Sequence, residues 1–410
     1  MRSFFKVKRA EDIFESLGDI KPSGTESVPI VDALGRVLAR EIKSNEDLPG
    51  FQRSTVDGYA VSAKDTFGSS ENLPTPFNII GEVRMGEIPN FGLKRGECAL
   101  ISTGGMLPKG ADAVVMIEYS QMVGDRVVEI SRPVSTLENV ILPDDDVKRG
   151  QIVLQKGIPL RPQDLGVLAA LGIYQIDVFT KPRAAIISTG EEVVDISQRP
   201  KPGQIRDINS YTLGGLCIKA GVEPIYLGIT GDRFDDLKLL IEKGMSQADV
   251  LLLSGGSSVG TRDFTLDAFS SLEAVEIVAH GVSISPGKPT IIAKKENKTL
   301  WGLPGHPVSA MIIFDVFIRW LFDRLCGCSS PAEYTDHTIE AELDRNIESA
   351  SGREDYIRVK LRNLEGSWLA TPIPGKSGLI STMVEADGVV RIDMNTEGLY
   401  AGEKVKVRLF

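Results

Sequence analysis

The sequence predicts a multidomain α/β plus β protein: a helical linker domain interrupted by a β-rich insert, a central α/β domain, and a C-terminal β domain. Three observations carry that expectation. Between Pro182 and Cys328 strand-like runs alternate with helical stretches, and three of the runs end in glycine-rich turns. From Phe77 to about Ile130 short alternating strands are broken by turns. From Glu340 to Phe410 the period-2 pattern of half-buried strands returns.

The glycine-rich turns organise the reading. Val250-Leu251-Leu252-Leu253 runs into Ser254-Gly255-Gly256-Ser257-Ser258, the pattern of a buried parallel strand entering a tight turn. Without a Cβ, backbone amides can approach a ligand closely, and anions, phosphates above all, are what such turns hold. Ala184-Ala185-Ile186-Ile187 runs likewise into Ser188-Thr189-Gly190-Glu191-Glu192. Leu300-Trp301-Gly302-Leu303 runs into Pro304-Gly305-His306-Pro307, which opens a long apolar helix at about Val308. If the three strands are parallel neighbours, their loops gather at the carboxyl edge of the sheet, where open α/β folds bind ligands.

In chain order, Val7 to Leu17 has helical periodicity with Gly18 as its stop, and Val31 to Ile42 reads as a second helical stretch. Asp47 to Val61 is dense in Asp, Pro and Gly and reads as a loop. Met122 to Val127 reads as a hairpin turning at Gly124-Asp125. Helix returns around Gln163 to Leu171. These elements give a linker domain at 1–48 and 141–178, an insert at 49–140, an α/β domain at 179–330 and a β domain at 331–410. Within the α/β domain Asn209 is placed to cap one helix, closed by Gly221, and Asp232 to cap the next, Phe234 to Gly244. In the last domain Arg358 and Lys360 alternate with Ile357, Val359 and Leu361, and Lys404 to Leu409 alternates cleanly, as in a small barrel or sandwich.

Composition narrows the chemistry. The chain has 410 residues, 42% hydrophobic and 25% charged, an ordinary globular balance. A net charge of −10 argues against nucleic acid as the partner. Four cysteines without a CxxC pair and only three histidines disfavour zinc; a catalytic metal is expected to be a hard cation on carboxylates, such as Mg²⁺. The N-terminus lacks the apolar core of a signal peptide. Asp315, Arg319 and Asp323 recur on one side of the apolar helix, so it reads as a core element and not a membrane span, and the chain as cytoplasmic.

Candidate site residues cluster beside the turns. Glu191, Glu192, Asp232 and Asp263 follow strand ends or glycine loops, and carboxylates at that edge are candidates to hold Mg²⁺ against an oxyanion or to accept from an N–H-rich heterocycle. The loop residues Gly190, Ser254, Gly255, Gly256, Ser257 and Gly305 are candidates for holding an anion. In the insert, Asp57 lies in a segment of distinctive sequence. Thr103 and Gly104 lie in a turn able to offer a hydroxyl and bare amides. Asp146 is the member of the Asp144-Asp145-Asp146 run most worth testing. Arg53, Lys288, Arg353, Arg358 and Lys376 are candidate anion clamps, and His306 a candidate ligand contact.

Six segments then occur together and in order: Ser54-Thr55-Val56-Asp57-Gly58-Tyr59-Ala60-Val61, Ile101-Ser102-Thr103-Gly104, Ser188-Thr189-Gly190-Glu191-Glu192, Ser254 to Gly260, Pro286-Gly287-Lys288-Pro289, and Leu303-Pro304-Gly305-His306-Pro307-Val308-Ser309. With them the chain resembles, over essentially its full length, the MoeA family of molybdopterin molybdenumtransferases, which includes the gephyrin E domain. The resemblance implies four parts: a helical linker domain, a β-rich insert, an α/β domain like that of the molybdopterin adenylyltransferases, and a C-terminal β-barrel. It implies an elongated homodimer with a site shared between subunits. The implied reaction inserts molybdate, or tungstate, into adenylylated molybdopterin and releases AMP, with Mg²⁺ or another divalent ion. Residue by residue, it gives functional roles to Asp57 and Thr103 on the insert and Asp146 near the linker. In the α/β domain it marks Glu192, Asp232, Asp263, Pro304 and Pro307, and in the last domain Arg358. Two departures stand out: Gly281 and Ser285 replace lysines of some members, and His306 replaces an asparagine of many bacterial ones. The rival readings are the preceding adenylyl transfer, the step of the adenylyltransferase that would be a partner, and a gephyrin-like scaffold. The adenylyltransferases carry Gly-Gly-Thr-Gly where this chain has Gly255-Gly256-Ser257-Ser258, and no long linker or extra domain supports a scaffold.

Overall fold

The computed structural model describes residues 7–231, 233–256, 264–329 and 337–410. The chain forms two compact units: residues 41–155 with 163–174, and residues 1–40, 156–162 and 175–410.

The larger unit is built on a six-stranded sheet. Arg183–Thr189, Val250–Ser254 and Lys298–Leu303 lie side by side and parallel, with Glu223–Thr230 outside the first and the antiparallel pair Ile291–Lys295 and Glu276–His280 outside the last. The three glycine-rich turns therefore emerge from neighbouring strands at one carboxyl edge, as the sequence predicts. The apolar runs are continuous because both faces are covered. Ala184, Ile186, Val250 and Leu252 pack into one core cluster, and Ala185, Ile187, Leu251 and Leu253 into the opposite one. Each fully buried Val, Leu or Ile side chain among them contributes about 1.5–3 kcal/mol, and each alanine less.

The apolar helix runs Pro307–Ile313, a π-helical turn Phe314–Ile318, and Arg319–Leu325. Its buried Phe314, Phe317, Leu321 and Phe322 belong to the first cluster. Asp315 on its polar side accepts from Arg319 and Arg408, and no helix of the described residues is long and apolar enough to cross a membrane. The C-terminal strands settle the choice between barrel and sandwich. Thr338–Leu343, Glu354–Leu364, Ser367–Pro372, Gly388–Ile392 and Lys404–Leu409 close on themselves, because Glu354–Leu364 pairs with both Ser367–Pro372 and Gly388–Ile392. Val359, Ala370, Val390 and Val407 fill the interior.

The smaller unit carries another six-stranded sheet, including the expected hairpin Ser120–Val123 with Val127–Ile130. Gly58 begins one central strand, and its glycine is required: a Cβ there would lie 1.9 Å from the Val115 carbonyl oxygen.

One expected helix is absent. Val31 to Ile42 contains only the 3₁₀ turn Ile30–Asp32, after which Val37 and Leu38 bridge to Pro159 and Val178. Arg36 through Ala39 are buried in succession, which suits an extended chain covered on both sides and not a helix with one apolar face. The flanking helices form at Ala10–Leu17 and Pro162–Ala170.

Candidate functional site

At the carboxyl edge of the parallel sheet the loops are tied to one another. The Gly190 amide donates to the Thr230 carbonyl at 3.3 Å, and the Gly255 amide to the Leu303 carbonyl at 3.1 Å. Gly255 takes φ +104°, and a Cβ there would lie 2.1 Å from the Thr189 carbonyl oxygen, so only glycine fits. These bonds correct the expectation of uniformly bare amides. Gly190 and Gly255 are engaged in holding the loops together, while the Gly256 and Gly305 amides donate no hydrogen bond among the described residues.

Asn209 adds a link that sequence reasoning misassigned. It does not cap its helix, Asn209–Lys219, through its side chain. Instead its Nδ2 donates to the Gly305 carbonyl at 2.9 Å and to Ser254 Oγ, joining two of the three loops. The capping bond comes from Asp207, whose Oδ1 accepts from the Ser210 amide at 3.1 Å and from Ser188 Oγ at 2.9 Å. The run Asp207-Ile208-Asn209-Ser210 announces a helix start, but its pattern cannot reveal a partner 96 residues away.

Glu192 is exposed and its carboxylate folds over the first loop, where a Cβ on Gly190 would meet it at 2.7 Å. Asp232, Ser257 and Asp263 lie outside the described residues. Among the described residues no three His, Cys, Asp or Glu side chains gather as a metal site. Burial pushes the Cys98, Cys217 and Cys326 thiols up to about 12, so they are neutral and poor ligands.

The loop Pro304-Gly305-His306-Pro307 leads towards the barrel. Pro307 occupies the first turn of its helix, where a missing amide hydrogen costs nothing. His306 Nδ1 lies 2.9 Å from Ser377 Oγ, and the Val308 amide donates to the Ser377 carbonyl at 3.1 Å. Two cavities open here. One, about 670 Å³, is lined by Lys288, Pro304, His306, Ser309, Arg353 and Ser377 among others. The second, about 550 Å³, shares Ser285, Pro286 and Ser377 with it and is lined by Arg358. Arg358 is 9% exposed, and Nη2 donates to the Gly375 carbonyl at 2.8 Å. Its Nε and Nη1 are buried without a partner, and burial lowers the affinity of the group for its proton. A buried guanidinium without a counter-ion carries an uncompensated charge. Arg353, by contrast, is already paired with Asp355 at 3.1 Å.

In the smaller unit Asp57 and Thr103 are brought into direct contact. Asp57 Oδ1 accepts from the Thr103 amide at 2.7 Å and from its hydroxyl at 3.1 Å. Gly104 and Gly105 donate to the Ser54 and Ser102 carbonyls, each at 2.8 Å. This turn therefore has no free amides to offer an anion, contrary to the sequence reading. What it presents is the second oxygen of an exposed carboxylate. In the triple-aspartate run, Asp144 pairs with Lys148 at 3.3 Å and Asp145 accepts from the Leu142 amide. The Asp146 carboxylate has no partner among the described residues, which singles it out as the sequence did.

Comparison with known proteins places this arrangement. Residues 5–172 match the family model for the MoeA N-terminal region (domain I and II), residues 185–324 that for a probable molybdopterin binding domain, and residues 340–410 that for the MoeA C-terminal region (domain IV). The chain is 31% identical to the molybdopterin molybdenumtransferase of Bacillus subtilis, over 95% of this chain and 90% of that one. Two crystal structures of the molybdopterin biosynthesis MoeA protein of Pyrococcus horikoshii superpose with TM-scores of 0.81 and 0.86. Their identities are 39% and 33%, with at least 98% of this chain and 99% of each of those covered.

Proposed function

Because the chain belongs to the MoeA family, we propose that it is a molybdopterin molybdenumtransferase of molybdenum cofactor biosynthesis, taking adenylylated molybdopterin and molybdate and releasing AMP. The observation that carries the reading is Arg358, a buried cation that lines a cavity beside the proline loop and has no counter-ion among the described residues. That is the place for an oxyanion. Lys288 on the adjoining cavity adds a second positive charge, which matters because Gly281 and Ser285 supply none. The open amides of Gly256 and Gly305 and the hydroxyl of Ser254 are suited to the phosphates. Asn209 orients Ser254 as a donor: its Nδ2 fills a lone pair of the hydroxyl oxygen, leaving the hydroxyl proton for a ligand.

The acceptors have the complementary task. Asp57 Oδ2 and the Asp146 carboxylate accept from ligand N–H or O–H groups or take up a proton, and Thr103 fixes the orientation of Asp57. We further propose a homodimer in which Asp57 and Thr103 of one subunit complete the site of the other, in the cytoplasm, with the molybdopterin adenylyltransferase as a supplying partner. Mg²⁺ is proposed as the divalent ion, on Glu192, Asp232 and Asp263, where it would polarise the phosphoanhydride. Of these only Glu192 lies within the described residues.

The test is AMP release by the purified chain from adenylylated molybdopterin, with molybdate, with tungstate and with neither. Release that depends on the oxyanion supports the reading. Adenylylation of free molybdopterin from ATP instead would replace it with the rival transfer step.

A further inference from the structure

Another cavity, about 700 Å³, opens beside the edge strand Glu223–Thr230 and is lined by Asp207, Tyr211, Tyr226 and Gly228 among others. Three features of it are unexplained by folding alone. The first is a bulge in a parallel ladder. Ile186 pairs with Tyr226 but Ile187 with Gly228, leaving Leu227 without a counterpart. Bulges are rare in parallel pairs and re-aim side chains next to functional sites. Gly228 takes φ +92°, and no atom lies within 4 Å of where its Cβ would stand, so the cavity floor is bare backbone beneath open space.

The second feature is a pair of aromatic walls. Tyr211 and Tyr226 are 53% and 52% exposed. Tyr226 is nevertheless packed at its tip, since a Cβ at Gly214 would lie 2.0 Å from its hydroxyl oxygen and 2.7 Å from the ring carbon that bears it. The third is Asp207. Its residue is 7% exposed, and both of its hydrogen bonds go to Oδ1. Oδ2 accepts nothing among the described residues. Capping a helix and fixing Ser188 needs one oxygen; the second is left on the cavity with two open lone pairs.

We propose that this cavity binds a planar, amine-bearing heterocycle, lying over Gly228 against Tyr211 and Tyr226 with its amino group donating to Asp207 Oδ2. Aromatic side chains take any such ring by stacking, and the carboxylate selects one that carries N–H donors. This rests on the reading above, because adenylylated molybdopterin carries two rings of that chemistry, a pterin and an adenine. Asp207 and Ser210 lie at the carboxyl edge of the same sheet, so the cavity extends the site already described.

The experiment titrates the full chain with pterin-6-carboxylate, followed by pterin fluorescence, and separately with AMP, followed by calorimetry. Wild type is compared with Tyr211→Ala, which removes an exposed ring outside the core, and with Asp207→Asn. Unchanged Tm of the Tyr211 variant checks the fold. The expected result is a loss of affinity on the order of tenfold in both variants. Loss in the pterin arm places the pterin here, and loss in the AMP arm places the adenine. Affinities unchanged within about twofold in both arms overturn the proposal, as does failure of wild type to bind either ring at millimolar concentration. Wild-type AMP release from the complete substrate separates the two levels: if release persists while ring binding ignores the variants, only the subsite falls; if no release occurs, the proposed activity falls with it.

Discussion

Replacing Arg358 by methionine separates binding from folding. In the protein as it stands Arg358 makes one hydrogen bond, to the Gly375 carbonyl, and keeps two donor atoms buried and unpaired. It forms no ion pair among the described residues. Losing the one bond costs about 1 kcal/mol. Removing an uncompensated buried charge and leaving a side chain of similar length offsets at least that much. Stability without ligand is therefore expected to stay the same or rise, the reverse of most truncations in a core. Oxyanion binding should suffer instead. Two charge-assisted hydrogen bonds at about 1.5–3 kcal/mol each amount to roughly 3–6 kcal/mol, or about 10²–10⁴-fold in Kd. Thermal unfolding with and without molybdate reads both quantities. If the proposed activity holds, molybdate at about a hundred times its Kd should stabilise wild type by about 2.7 kcal/mol, a rise of several degrees, and should leave Arg358→Met unmoved. A variant that unfolds well below wild type yet keeps its response to molybdate would refute the assignment.

Further outcomes follow from particular contacts. Gly255→Ala forces a Cβ against the Thr189 carbonyl at a strained φ, and should lower stability in urea by about 2–4 kcal/mol while Gly203→Ala, with open space around it, costs less. Asp57→Ala should abolish activity, and co-expression with Asp263→Ala should restore part of it in heterodimers; no restoration would count against a site shared between subunits. Cys98 and Cys217 should resist a thiol reagent at pH 8 until the chain is unfolded. Burial raises each folded thiol to about 12, above its unfolded value, so the stability they contribute is whole below the unfolded value and fades as pH rises towards 12.

The central sheet is legible in the sequence because its strands are buried on both faces, which leaves continuous apolar runs such as Val250 to Leu253 ending at glycine. The hairpin at Gly124 and the alternation of Lys404 to Leu409 are legible for a different local reason, burial of one face only. The stretch from Val31 to Ile42 is not, since Val37 and Leu38 are fixed by Pro159 and Val178, far along the chain. Among site residues, a glycine beside a strand end announces a close approach, but not whether its amide is free. Gly190 and Gly255 are engaged by Thr230 and Leu303, and Thr103 by Asp57, through contacts that only the folded chain creates. Arg358 is visible as an alternating charge in a strand; its lack of a counter-ion is a property of the barrel around it.

The most direct measurement is a crystal structure with adenylylated molybdopterin and molybdate bound. The phosphates are expected at the Gly256 and Gly305 amides, with the oxyanion beside the Arg358 guanidinium. Finding the compound on another face, with those amides and the guanidinium untouched, would contradict the account.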